Sequence, residues 1–149
     1  MKISELTTFL NEFCEMSTEF KIELKIMNSE YGKDYFRKKI TQNVNTSYGI
    51  YSFFDSEKKD ILYLGKAGTV RNDGTYGNQT LRGRLQAPRG GFNNSFLYFK
   101  KLMNDNNYEN LSFNVFYSKP IFTPAYVEIL ALQKYYTRYG FLPRFNNEL

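Results

Sequence analysis

The stretch GIYSFFDSEKKDILYLGKA, residues 49–67, decides the fold. Two short runs of apolar and aromatic residues, Tyr48–Phe54 and Ile61–Leu64, flank the polar segment Asp55-Ser56-Glu57-Lys58-Lys59-Asp60. Short β-prone runs separated by a polar turn predict a β-hairpin. With the turn centred near Glu57, Tyr51 and Tyr63 are expected opposite each other, and directly opposed residues share a face of the sheet. Gly49 and Gly65 lie close to the two phenols and leave room for another backbone or a ligand. Paired strand tyrosines most often simply pack, so the hairpin taken alone speaks for fold.

Working outward, Ile3, Leu6, Phe9, Leu10 and Phe13 recur at helical spacing, which predicts a helix over Ser4–Met16. Phe20, Ile22, Leu24 and Ile26 alternate with polar residues, which predicts a strand over Phe20–Met27. A short helix is expected around Lys33–Ile40. Val70–Thr80, rich in Gly, Asn and Thr, reads as a loop. Leu81–Gln86 and Asn94–Met103 read as helices, Leu111–Tyr117 as a strand. The helix Pro124–Tyr139 has Thr123 as N-cap, Pro124 in its first turn and Gly140 at its end. The expected class is α/β (α+β): a small, mostly antiparallel sheet flanked by helices. Residues 47–149 form the main domain, and residues 1–46 are an N-terminal helix–strand extension packed at an edge.

A chain of 149 residues is long enough for one domain with its own core. Lone Cys14 permits no intrachain disulfide, and with no His in the chain no zinc site is expected. The missing His also excludes Ser-His-Asp and Cys-His hydrolases and nucleases with a His base. Any hydrolytic chemistry must use Tyr, Lys, Arg and carboxylates. No apolar run is long enough for a membrane span and no signal segment opens the chain, so a cytoplasmic, non-membrane protein is expected. Charge is uneven: residues 62–101 carry Lys66, Arg71, Arg82, Arg84, Arg89, Lys100 and Lys101 against Asp73 alone. A basic stretch interleaved with aromatics and Asn suits a nucleic-acid backbone, although a solvated basic face has the same composition.

Gly49-Ile50-Tyr51, Tyr63-Leu64-Gly65, Arg84, Glu128 and Asn146, in that order, resemble the GIY-YIG endonuclease family. Tyr63-Leu64-Gly65-Lys66-Ala67 is similar to the restriction-enzyme and excision-repair branches, which place a Lys after the second triplet. Leu81-Arg82-Gly83-Arg84-Leu85 resembles the helix that bears the family's catalytic Arg. The resemblance spans roughly Tyr48 to Asn146. It implies a Mg²⁺-dependent DNA endonuclease, with Mn²⁺ a substitute, that hydrolyses phosphodiesters with one metal ion and a tyrosine general base. The implied catalytic residues are Tyr51, Tyr63, Lys66, Arg84, Glu128 and Asn146, with Glu128 the metal ligand. Tyr63 is favoured as base with Tyr51 orienting water or phosphate, but the two can exchange roles. Arg71, Asn78, Arg82, Arg89, Lys100 and Lys101 are the expected DNA contacts.

The chemistry is consistent with these residue types. One carboxylate can hold a Mg²⁺ that keeps several waters, and the remaining carboxylates are too scattered to suggest a second ion. An Arg can grip phosphate oxygens at two points. A free phenol is on the order of 0.1% ionised at neutral pH, so a tyrosine base needs nearby positive charge. The chain departs from the family in three places: a long segment between Gly65 and Arg84, a long interval between Glu128 and Asn146, and Ala87 or Arg89 where a His often follows the Arg helix. The first of these and the added N-terminal segment suggest a stand-alone, restriction-like enzyme, for which a homodimer would match a symmetric site. The alternative is a nucleic-acid-binding module that keeps the scaffold and does not cut.

Overall fold

The hairpin of residues 49–67 forms one half of a four-stranded sheet, one of its strands central and the other at the edge. The computed structural model describes residues 1–77 and 79–149; Asn78, an expected DNA contact, lies outside the described residues. In chain order the elements are α1 (Ile3–Leu10), β1 (Cys14–Glu23), α2 (Leu24–Met27), α3 (Gly32–Asn43), β2 (Gly49–Asp55) and β3 (Ile61–Ala67). They continue with β4 (Thr69–Val70), β5 (Tyr76–Gly77), α4 (Leu81–Gln86), α5 (Ser95–Asn106), β6 (Asn110–Ser118) and α6 (Pro124–Tyr139). The main sheet has the order β1-β6-β2-β3 with every neighbouring pair antiparallel. The protein is a mixed α+β fold, as its sequence predicts.

Helices cover both faces of the sheet. On one face Phe20, Ile22, Tyr51, Phe53, Phe113 and Val115 meet Phe36 and Ile40 of α3, Leu81 and Leu85 of α4, and Phe99 and Met103 of α5. On the other, Ile50, Phe54, Leu64 and Phe116 meet Leu6 and Leu10 of α1 and Val127, Ala131 and Leu132 of α6. Coverage of both faces explains why β2 and β6 are buried along almost their whole length, Ser52, Ser112 and Asn114 included, while outer strand β1 alternates from Phe20 to Ile22. Phe53 stacks on Tyr63 at 5.0 Å between centroids and meets Phe99 edge-on at 5.3 Å. Replacing such a fully buried Phe by Ala costs about 3–5 kcal/mol.

The caps behave as their residue types dictate. Thr123 Oγ1 accepts from Tyr126 N at 3.2 Å, Thr80 Oγ1 from Gly83 N at 3.2 Å and Asn94 Oδ1 from Leu97 N at 3.0 Å. Gly140 ends α6 at φ 76°, a left-handed conformation that favours glycine.

Three local expectations are corrected. The first helix stops at Leu10 instead of running to Met16, because the chain from Cys14 onward pairs with β6. A ladder against an existing strand satisfies more backbone groups than one further helical turn. The strand expected over Phe20–Met27 ends at Glu23, opposite Asn110 where β6 begins; beyond a last bond from Leu24 N to Glu109 O, Leu24–Met27 forms one helical turn that buries Met27. The expected loop over Val70–Thr80 contains a small hairpin, β4 against β5, with Tyr76 stacked on Tyr48 at 4.4 Å.

Residues 1–46 share both cores and the sheet. Their first residues also clasp the β2–β3 turn: Ile61 N donates to Met1 O, Ile3 N to Lys59 O, and Lys2 Nζ lies 2.7 Å from the Asp60 carboxylate.

Candidate active site

β2 and β3 are in a different register from the simple hairpin expectation. Tyr51 pairs with Gly65 and Phe53 with Tyr63, and the register shifts between Phe53 and Phe54. The two tyrosines are therefore diagonal neighbours on one face, with ring centroids 5.6 Å apart. Gly65 provides the space for this arrangement. A Cβ there would lie 2.8 Å from the Tyr63 hydroxyl and 2.9 Å from Cζ of Tyr51. Both phenol ends lie over a residue that must have no side chain. Gly49 is constrained similarly, since a Cβ there would meet Phe116 O at 1.9 Å.

The two phenols differ in exposure. Tyr51 is completely buried, and burial pushes its pKa well up, against the opposing influence of the Arg89 charge. Tyr63 is half-buried and faces an open cleft of about 530 Å³ lined also by Lys66, Thr69, Gln79, Arg84 and Glu128. A second cleft of about 350 Å³, lined by Phe145–Leu149, adjoins the first at Tyr63 and Glu128.

Glu128 belongs to the helix on the opposite side of the sheet from the tyrosines, and it reaches the same cleft around the β3 edge. β3 is the last strand, so its outward backbone groups need partners. Leu62 O accepts from Phe145 N at 2.9 Å, Leu64 N donates to Asn146 Oδ1 at 2.9 Å, and Leu64 O accepts from Asn146 Nδ2 at 2.8 Å. Further along the same edge, the Glu128 carboxylate lies close to Lys66 and shares the cleft with it. Partial burial raises the Glu128 pKa, while the charges of Lys66 and Arg84 and the Lys66 backbone pull it back down.

Arg84 is half-buried in the cleft wall and makes no hydrogen bond or ion pair with a described residue, so its guanidinium is free for an anion. Among the described residues no three His, Cys, Asp or Glu side chains converge. Glu128 is the carboxylate that faces Tyr63, Lys66 and Arg84.

Tyr63, Lys66, Arg84 and Glu128 thus share one cleft, and other expected residues have different partners. Both ends of the Asn146 amide are used by the Leu64 backbone, so this side chain pins the tail along β3. Arg82, expected at DNA, donates instead to Val44 O at 2.7 Å and Thr41 O at 3.1 Å and caps the carbonyl end of α3. Arg89, also expected at DNA, is turned inward beneath the tyrosines: its Cζ lies 5.1–5.5 Å from the ring centroids of Tyr63, Tyr51, Phe99 and Tyr98, and Nη2 donates to the Tyr51 hydroxyl. Lys101 is ion-paired with Asp105 at 2.9 Å and Lys100 lies over Phe96, both away from the two clefts. Arg71 is exposed at the tip of the β4–β5 hairpin, its side chain lying across Gly77. Tyr98 and Thr69 carry no signal in the sequence. They join the site only because α5 and the β3–β4 bend bring them there.

Comparison of the chain with models of protein families, with curated proteins and with solved structures finds no match. No described helix is long and apolar enough to cross a membrane.

Proposed function

We propose that this protein is a Mg²⁺-dependent endonuclease of the GIY-YIG kind that hydrolyses DNA phosphodiesters. One observation carries the reading: a phenol, an amine, a guanidinium without a hydrogen-bond partner among the described residues and a carboxylate line a single polar cleft at the sheet edge. The pattern resembles that family in residue order, and the cleft has the chemistry that phosphodiester hydrolysis requires. Tyr63, the phenol that faces the cleft, accepts a proton from the attacking water. Tyr51 is sealed from the cleft and acts on its neighbour. Arg84 holds the non-bridging phosphate oxygens at two points and offsets the charge that grows on them. Lys66 adds positive charge to the cleft wall beside Tyr63.

The donor set fits one hard cation. Glu128 is a partly desolvated carboxylate on the wall of a wet cleft, and among the described residues no cluster of acidic side chains accompanies it. It would hold Mg²⁺, or Mn²⁺ in its place, through one oxygen ligand, leaving the remaining positions to water and phosphate. Bound there, the ion supplies Lewis-acid stabilisation of phosphate charge.

The test is incubation of supercoiled plasmid with purified protein, with Mg²⁺ and with chelator. The expected result is nicking or linearisation that disappears with EDTA and with Glu128→Ala. Salt-sensitive binding that leaves the plasmid intact under all conditions would make the protein a non-cleaving nucleic-acid-binding module.

A further inference from the structure

The residue with the least ordinary environment in the molecule is Arg89. Its guanidinium is enclosed by Tyr51, Tyr63, Tyr98 and Phe99 at 5.1–5.5 Å, and among the described residues its one hydrogen-bond partner is the Tyr51 hydroxyl. The other terminal nitrogen, Nη1, is buried with no hydrogen-bond partner among the described residues. Burying an arginine with unmet donors costs stability, partly offset by the ring faces around it. A methionine or leucine would fill the same space at less cost. The backbone around it is also constrained: Gly90 and Gly91 follow at φ 58° and 82°, and a Cβ at Gly90 would lie 2.7 Å from the Tyr98 ring.

We propose that Arg89 is a positioning residue for the tyrosine pair: it fixes the Tyr51 hydroxyl so that the Tyr51 proton is directed to Tyr63, and its charge lies beneath both rings. This deepens the nuclease reading and rests on it. Donors and acceptors dictate the direction of the proton. A phenol oxygen that accepts from a guanidinium keeps its own proton free to donate elsewhere. The Tyr63 hydroxyl and the end of the Tyr51 ring both lie over Gly65, with the two ring centroids 5.6 Å apart, so Tyr63 is the neighbouring phenol on that face. A donor aimed at the Tyr63 oxygen, with a cation 5.1 Å from its ring, is the setting in which that oxygen takes a proton from water. Arg89 keeps its own proton throughout, since a guanidinium is not deprotonated in proteins. The other charged or titratable groups facing the pair are Tyr98 from α5, Arg84 from α4, Lys66 from β3 and Glu128 from α6.

The assignment separates Arg89 from a DNA contact and from mere filler. The variants are Arg89→Met, which keeps bulk and removes charge and donors, and Arg89→Lys, which keeps charge and loses the planar fork. Cleavage is measured as kcat and KM across pH 6–10 with saturating Mg²⁺. Arg89→Met is expected to lower kcat on the order of tenfold at neutral pH and to move the rise of kcat about one pH unit upward. KM should stay unchanged and Arg89→Lys should recover part of the rate. A kcat–pH profile of Arg89→Met that superimposes on the parent, whatever happens to thermal stability, overturns the proposal, and a change confined to KM returns Arg89 to the DNA surface.

A second measurement is independent of cleavage. In metal-free protein carrying ¹³Cζ-tyrosine, the Tyr63 resonance, assigned with Tyr63→Phe, is followed against pH by NMR. The titration midpoint should move upward in Arg89→Met by about one unit, and by less in Arg89→Lys, which also covers the case in which the Met variant fails to fold. Coincident midpoints in parent and variant overturn the proposal. Failure of the parent to cleave any nucleic acid, with the midpoint still moving, would sink the nuclease reading and leave Arg89's role standing.

Discussion

Tyr51 lies across the ladder from Gly65, and the end of its ring occupies the space that a side chain at position 65 would need. Gly65 has an ordinary backbone conformation, absent from the positive-φ glycines. Its requirement is therefore steric.

Gly65→Ala should destabilise the protein by about 1–3 kcal/mol through overpacking. It should also impair cleavage by displacing one or both phenols. Urea denaturation read together with plasmid nicking checks this. A Gly65→Ala variant with an unchanged midpoint and full activity would show that the rings have slack.

Glu128 yields a pH prediction with a definite sign. Its folded-state pKa lies above the ordinary carboxylate value, chiefly through burial. The folded state therefore binds a proton that the unfolded state has already released, and the ionised group subtracts stability as pH rises through that window. Glu128→Gln should have a higher Tm than the parent at neutral pH, with the difference vanishing below the ordinary carboxylate pKa, and it should lose cleavage. A Gln variant less stable than the parent at pH 7 would indicate that Lys66 and Arg84 outweigh desolvation.

Arg82 and Arg84, two residues apart on α4, should separate cleanly. Arg82→Ala removes two hydrogen bonds to the carbonyl end of α3 and should cost about 1–3 kcal/mol while sparing kcat. Arg84→Ala, with no such partners, should leave stability within about 0.5 kcal/mol and lower kcat on the order of 100-fold. Thermal melts beside single-turnover cleavage make the comparison, and a reversed pattern would exchange their roles.

Asn146→Ala should expose the β3 edge. Both hydrogen bonds to Leu64 are lost, so amide exchange at Leu64 should accelerate and the 350 Å³ cleft beside Tyr63 should open. Hydrogen exchange followed by NMR reads this directly. Unchanged protection at Leu64 would mean that Phe145 N on Leu62 O suffices to hold the tail.

Much of this architecture is legible in the chain. The aromatic hairpin, the polar turn from Asp55 to Asp60, Thr123-Pro124 opening α6 and Gly140 closing it are local chemistry, written in neighbouring residues. Leu81–Gln86 and the strand after Tyr108 follow from the same rules. The ordering of Tyr51, Tyr63, Arg84 and Glu128 is visible too, although order along a chain is silent about which side chains meet.

What remained was decided by partners distant in sequence. Phe20 to Ile26 alternates evenly, yet the strand ends at Glu23 because β6 has no residue left to pair with it. Tyr51 faces Gly65 because a register shift beyond Phe53 resets the ladder, and no local pattern marks that bulge. Arg82 and Arg89 look like their basic neighbours in the sequence, and only the packing of α3 and α5 turns one into a helix cap and tucks the guanidinium of the other beneath two phenols. Glu128 joins a site built on the opposite face because α6 packs beside β3, the edge strand, so that its carboxylate reaches the cleft of Tyr63, Lys66 and Arg84. Residue types set the available chemistry; the packing of elements around a sheet edge sets where that chemistry gathers.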